Sequence, residues 1–176
     1  NEVPIEGLYK KVFIDDVAAT LKISGKASID DLKPNFFRNL LSSEGKIAYE
    51  FDLTLPPKQN TVFRLRANLS KVSANHPYLG ILKKKNKSGS LDAGWTKGQP
   101  INFQYQSIDN TLVGSIFLNN EQEVEKVEFH KANLGDYFEG SAIYTVGRNE
   151  NNLIIKGSKF DYSKSPKHKF AQSERK

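Results

Sequence analysis

The chain has no cysteine. Disulfides, thiol nucleophiles and cysteine metal sites are therefore excluded, and the composition is compatible with an exported bacterial protein. No apolar run approaches the roughly 20 residues of a membrane helix, so no transmembrane segment is expected. The sequence opens at Asn1 with neither methionine nor a secretory leader, and the expectation is that any targeting peptide has been removed or left off. Histidine is scarce. His76, His130 and His168 stand far apart, without the i, i+4 spacing of a helical metal pair. There is no GxSxG elbow, phosphate-binding loop or dinucleotide fingerprint. Carboxylates are plentiful, but Glu50 and Asp52 have arginines to hand, and Asp15-Asp16 and Asp30-Asp31 sit at turns or a helix start. Paired-acid catalysis also needs a cleft and one raised pKa. The expectation is a protein that is not an enzyme and has no metal or cofactor.

What is present fits a soluble globular chain. It has 176 residues, 38% hydrophobic and 26% charged, enough to bury a core in one domain. That domain is expected over residues 1–162, with a basic, unstructured tail over 163–176. The net charge of +6 raises a polyanion reading. Much of the excess is local, however. Lys83, Lys84, Lys85, Lys87 and Lys97 face Asp92 alone, and the tail adds Lys164, Lys167, Lys169, Arg175 and Lys176 against Glu174.

The strongest pattern runs from Ile47 to Leu69. Ile47, Tyr49, Phe51, Leu53 and Leu55 alternate with Glu50, Asp52 and Thr54; Phe63, Leu65, Ala67 and Leu69 alternate with Arg64, Arg66 and Asn68. Such alternation marks strands with one face buried and one wet. The short Pro56-to-Asn60 connection makes them a hairpin, with Asp52 opposite Arg64 and Glu50 opposite Arg66. Opposite charges across a ladder contribute a few tenths to about 1 kcal/mol each, and help to set register.

Elsewhere, Asn1–Lys11 reads as an opening segment and Val12–Gly25 as one or two strands. Leu32, Phe36, Phe37, Leu40 and Leu41 recur at helical spacing, with Pro34 suited to a first turn and Gly45 to a stop, which predicts a short helix over Pro34–Ser43. Val72–Pro100 reads as a long irregular connection, of the kind that is functional or disordered. Strands follow at Ile101–Tyr105, Leu112–Leu118 and Glu123–Lys131, and a hairpin at Gly140–Gly147 and Leu153–Tyr162. The fold class is mostly β: an antiparallel barrel or curled sandwich of about eight strands with one short helix.

Eight strands can enclose one small ligand or fill with side chains. Tyr49, Phe51, Phe63, Leu65, Phe103 and Tyr105 either line such a space or form a plain core, and the pattern leaves both open. Tyr78 and Trp95 are candidates to cover an apolar ligand, with Lys83, Lys84, Lys85 and Lys87 for an anionic head group. The same lysines with Tyr78 and Trp95 are the alternative, a phosphate-plus-stacking loop for single-stranded nucleic acid, which the mixed charges elsewhere disfavour. A third reading is a cell-envelope interaction or assembly protein with a filled core.

Several segments together resemble the YceI-like proteins. They are Leu69-Ser70-Lys71-Val72-Ser73-Ala74-Asn75-His76, the Lys-rich stretch with Ser90-Leu91-Asp92-Ala93, and Pro100-Ile101-Asn102-Phe103-Gln104-Tyr105-Gln106-Ser107. Leu112–Asn120, Val124–Phe129 and Phe138–Arg148 continue the likeness, which spans roughly Gly45–Arg148. The sequence departs from that pattern where Gly98-Gln99-Pro100 replaces a Tyr-Pro approach and where no Phe-Gly-Ile follows Arg148. The resemblance implies a lipocalin-like barrel, a periplasmic or secreted location, and a lipid or other small apolar ligand, polyisoprenoid included.

Overall fold

The computed structural model describes residues 5–10, 19–29, 42–56, 60–76, 80–147 and 150–161. They form twelve strands: β1 (Ile5–Lys10), β2 (Ala19–Ser28), β3 (Ser42–Leu55), β4 (Val62–Asn68), β5 (Val72–His76), β6 (Gly80–Lys83), β7 (Gly89–Thr96), β8 (Ile101–Ser107), β9 (Asn110–Leu118), β10 (Val124–Leu134), β11 (Phe138–Val146) and β12 (Asn151–Phe160). Every pairing is antiparallel. The main path runs β1-β2-β3-β4-β7-β8-β9-β10-β11-β12, while β5 pairs with β3 and β6. Among the described residues the path does not close, since β1 and β12 stand at opposite ends.

The mostly antiparallel β architecture is as the alternation requires, but the estimate of about eight strands is corrected to twelve. The opening segment contains β1, and the stretch from Val72 to Pro100 contains β5, β6 and β7. The helix expected over Pro34–Ser43 falls largely outside the described residues, although Ser42 and Ser43 belong to β3. The residues from 162 onward, including the expected tail, also lie outside them.

Register makes the two faces. Ile23, Phe51, Leu65, Ala93, Phe103, Gly114 and Phe129 lie opposite one another across seven strands. Gly25, Tyr49, Ala67, Leu91, Tyr105 and Leu112 form a second row two residues along, on the same face. Between these rows run polar ones, among them Ser24, Glu50, Arg66, Asp92 and Gln104. The central hairpin closes as the alternation predicts, with Asp52 opposite Arg64 and Glu50 opposite Arg66. The shortest ion pair is nevertheless diagonal: Arg66 Nη2 donates to Asp52 Oδ2 at 2.7 Å. Arg66 Nη1 lies 3.7 Å from Glu50, and Lys22 Nζ 3.8 Å from Asp52.

A bend in β3 builds the core. Its residues from Lys46 onward pair with β2, whereas Ser42–Gly45 pair with β5. Gly45 has φ +116°, and a Cβ there would run into the Lys71 carbonyl. Glycine is therefore required by backbone conformation and by close approach, and Gly45 ends no helix. The bend brings Val72 of β5 against Ile47, Ala67 and Leu69, with Ile29, Tyr49, Leu91 and Tyr105 packed around them. Val72 is 1% exposed. A second buried group, Val127, Ala132 and Leu134, lies along β10.

Two asparagines fix turns. Asn119 Oδ1 accepts from the backbone N–H groups of Glu121 and Glu123, each at 2.9 Å. The N–H of Gly135 donates to Asn110 Oδ1 at 3.0 Å, joining the turn before β9 to the turn after β10.

These contacts rank the hairpin's side chains. Ile47→Ala is expected to cost about 2–5 kcal/mol, as for a packed core aliphatic. Arg66→Ala is expected to cost at most about 1 kcal/mol, because its own side chain is more than half exposed. Gly45→Ala should cost at least about 1–3 kcal/mol from backbone strain alone. Urea unfolding midpoints check all three.

Candidate functional site

Seven of the eight expected ligand-contacting residues share one face. Tyr49 and Phe51 lie on β3, Phe63 and Leu65 on β4, Trp95 on β7, and Phe103 and Tyr105 on β8, four strands adjacent in the sheet. Trp95 is opposite Phe63, and Phe63 opposite Leu53, which extends a third apolar row. Tyr78 lies outside the described residues. The rings of Phe51 and Phe63 are 4.6 Å apart at 55°, and those of Phe103 and Phe129 meet edge-on at 5.8 Å and 83°. Gly114 permits the second pair, since a Cβ there would press on the tip of Phe103 and the Glu128 carbonyl.

The face is covered unevenly. At the β5 end Ile47, Ala67, Leu69 and Val72 are buried. At the other end Phe51, Leu53, Phe63, Leu65, Trp95 and Phe103 are only partly buried. Phe129 belongs with this surface and was not legible in the sequence. It precedes a β-bulge at which β10 slips register against both neighbours between Phe129 and Ala132, so its alternation is interrupted.

Of the four expected head-group lysines, Lys83 is corrected. Lys83 is 3% exposed, and so is not available to a solvent-borne head group. Its Nζ donates to the carbonyls of Lys84 at 2.6 Å, Lys87 at 2.7 Å and Val72 at 3.3 Å. Three acceptors use all three ammonium donors. Burial pushes the pKa of Lys83 below the ordinary lysine value, while the carbonyls favour the charged form. The lysine-rich segment is thus an ordered turn between β6 and β7, in which Asn86 takes a left-handed φ of 61° and its N–H donates to the Ser70 carbonyl at 2.8 Å. Lys84, Lys85 and Lys87 remain exposed, and Lys85 lies 3.6 Å from Glu44. They stand at the start of β7, whereas Trp95 stands near its end, roughly 20 Å away at strand rise. Lys97 is exposed in the following turn, two residues beyond Trp95.

The polar face carries two further features. An open hollow of about 700 Å³ is lined by Ser24, Lys26, Glu50, Arg66, Asn68 and Asp92. Of its charges, Arg66 and Glu50 pair at 3.7 Å. Near the bulge, Ser115 Oγ donates to Asn102 Oδ1 at 2.7 Å and lies 3.0 Å from Nε2 of the exposed His130. Among the described residues, no group of three or more histidine, cysteine or acidic side chains could hold a metal ion. None of their helices is long and apolar enough to cross a membrane.

The chain matches no protein-family model, no curated protein and no solved structure.

Two outcomes follow from the site. Lys83→Ala should cost more than about 2 kcal/mol, because carbonyls lose their donors, while Lys84→Ala, Lys85→Ala and Lys87→Ala should each cost under about 1 kcal/mol. Chemical unfolding of the four variants checks this. Burial raises the pKa of Tyr105 above its ordinary value; a hydrogen bond with Ser107 opposes the shift and the charge of Asp109 adds to it. The folded state then holds its proton longer than the unfolded one. Stability is present below about pH 10 and is lost as pH rises toward the folded pKa. Tyr105→Phe should flatten that alkaline decline, measured as the urea midpoint against pH.

Proposed function

We propose that the protein is a non-catalytic carrier or sensor that holds a long apolar ligand against the aromatic face of its sheet. One observation carries the reading. The aliphatic residues beneath β5 are buried as a core should be, but the aromatic rows at the other end are left partly exposed. A contiguous apolar surface of this kind marks a binding site more often than a packing remainder. Lining and core are thus two ends of one face, with Phe51, Phe63, Trp95 and Phe103 at the lining end.

The energetics suit a hydrocarbon chain. Each methylene removed from water contributes about 0.8 kcal/mol, so ten give about 8 kcal/mol before the costs of association. Lys97 is the cation that an acidic head group at the open end would meet. The proposal keeps the YceI-like resemblance in its broader terms: a lipocalin-like antiparallel meander offering one apolar face to a lipid or isoprenoid. On that reading the protein works in the periplasm or is secreted.

Native mass spectrometry of the purified protein, with organic extraction, should reveal a co-purifying lipid. Added long-chain fatty acid should bind with an affinity that changes less than about twofold between 0.05 and 0.2 M salt, since hydrocarbon transfer is hardly salt-dependent. Phe63→Ser should weaken that binding by about tenfold or more, the loss of one buried ring. No lipid and no fatty-acid binding would overturn the reading. Binding of oligonucleotide instead, falling more than about tenfold over the same salt range and removed by substituting Lys84, Lys85 and Lys87, would put the polyanion alternative in its place.

A further inference from the structure

The last strand breaks the two-face rule that organises the others. All ten residues of β12, Asn151–Phe160, are exposed. They include Leu153 at 56%, Ile154 at 47% and Ile155 at 56%. Three consecutive apolar residues place hydrocarbon on both faces, which burial of one face cannot explain. Among the described residues β12 pairs only with β11, and along Asn151–Ile155 no described strand lies on its outer edge. Natural edges are usually guarded by charge, proline or a bulge, and the half from Asn151 to Ile155 has no charge and no proline.

The apolar rows also run out at this edge. The row from Ile23 through Phe103 and Phe129 continues by way of Ala142 to Ile155. The row through Ile101, Ile116 and Val127 continues by way of Tyr144 to Leu153. Both rows end on exposed side chains.

We propose that β12 pairs antiparallel with β12 of a second copy, about a two-fold axis through Ile154. In that register Ile154 faces Ile154 of the second copy, and Leu153 faces Ile155 of the second copy. Each of the two apolar rows therefore continues into the other across the axis. Asn152 faces Lys156 of the second copy, and no two like charges are opposed. Lys156 also lies diagonal to Glu150 of the second copy on the same face, within reach for long side chains, and symmetry makes this contact twice. Moving the axis one pair along, to Ile155, would set Ile154 against a lysine; moving it to Leu153 would set Ile154 and Ile155 against asparagines. Only the Ile154 register matches apolar with apolar throughout. The contact is isologous and closes, as most soluble dimers do. It uses none of Phe51, Phe63, Trp95, Phe103 and Lys97, so it stands independently of the ligand reading.

The absence of cysteine makes a clean test. Ile154→Cys sets two thiols opposite each other at the axis, within the Cα separation that a disulfide spans. Mild oxidation of the full chain should give a covalent dimer. Ile155→Cys places its thiols two residues out of register and should cross-link at least tenfold more slowly. Sedimentation of the unmodified chain should show a monomer–dimer equilibrium. Ile154→Lys should weaken it at least tenfold with an unchanged circular-dichroism spectrum, and an equimolar mixture of Ile154→Lys with Ile154→Glu should restore the dimer. A monomer at every concentration, or equal cross-linking of the two cysteine variants, would overturn the proposal. So would an open-ended series of larger species, which would mean that β12 pairs with β1 of the next copy.

Discussion

The structure depends on cross-strand register. One apolar row crosses nine strands without losing step, from Ile23 on β2 to Ile155 on β12. Because side chains alternate, a one-residue slip in any of these strands would turn its aromatics to water and its charges inward. The ion pairs of Arg66 with Asp52 and Glu50 are worth little singly, but they lie where the two longest alternating patterns meet and oppose such a slip. Register segregates the faces; it does not cover them. Cover comes from Gly45, whose left-handed backbone lets β3 turn out of the main sheet and take β5 with it. One end of the apolar face thereby becomes a core and the other stays partly open.

The legible parts of this fold are those in which local pattern and final environment agree. β3 and β4 could be read, register included, because one face is apolar, the other is charged and the connection between them is short. Tyr49, Phe51, Phe63, Leu65, Phe103 and Tyr105 follow from the same alternation, and Trp95 joins them because β7 aligns it with Phe63. The residues that misled did so for physical reasons. β5 and β6 have five and four residues, too few to show a period. Gly45 has the same identity as a helix stop, and only the approach of Lys71 distinguishes a bend in a strand. The bulge after Phe129 shifts the alternation on β10, hiding an aromatic among charges.

Lys83 shows the limit most clearly. In sequence it is one of four clustered lysines, and solvated lysines are the usual outcome. It is buried where two carbonyls of its turn and that of Val72 on β5 converge, and main-chain acceptors leave no trace in a sequence. The same turn holds Lys84, Lys85 and Lys87 outward at the far end of β7 from Trp95, so the charge cluster and the open aromatics are separate features. A ligand lying on the aromatics need not touch the cluster at all.

Whether that aromatic end receives a hydrocarbon chain can be read from the chain's single tryptophan. Trp95 lies on the apolar face opposite Phe63, where a bound acyl chain would pass within contact distance. Titration with a brominated long-chain fatty acid, a short-range quencher, should extinguish its fluorescence saturably, and unbrominated fatty acid should reverse the effect by competition. Emission unchanged across the titration, while iodide in the solvent still quenches it, would contradict the account and leave the partly open face without a ligand.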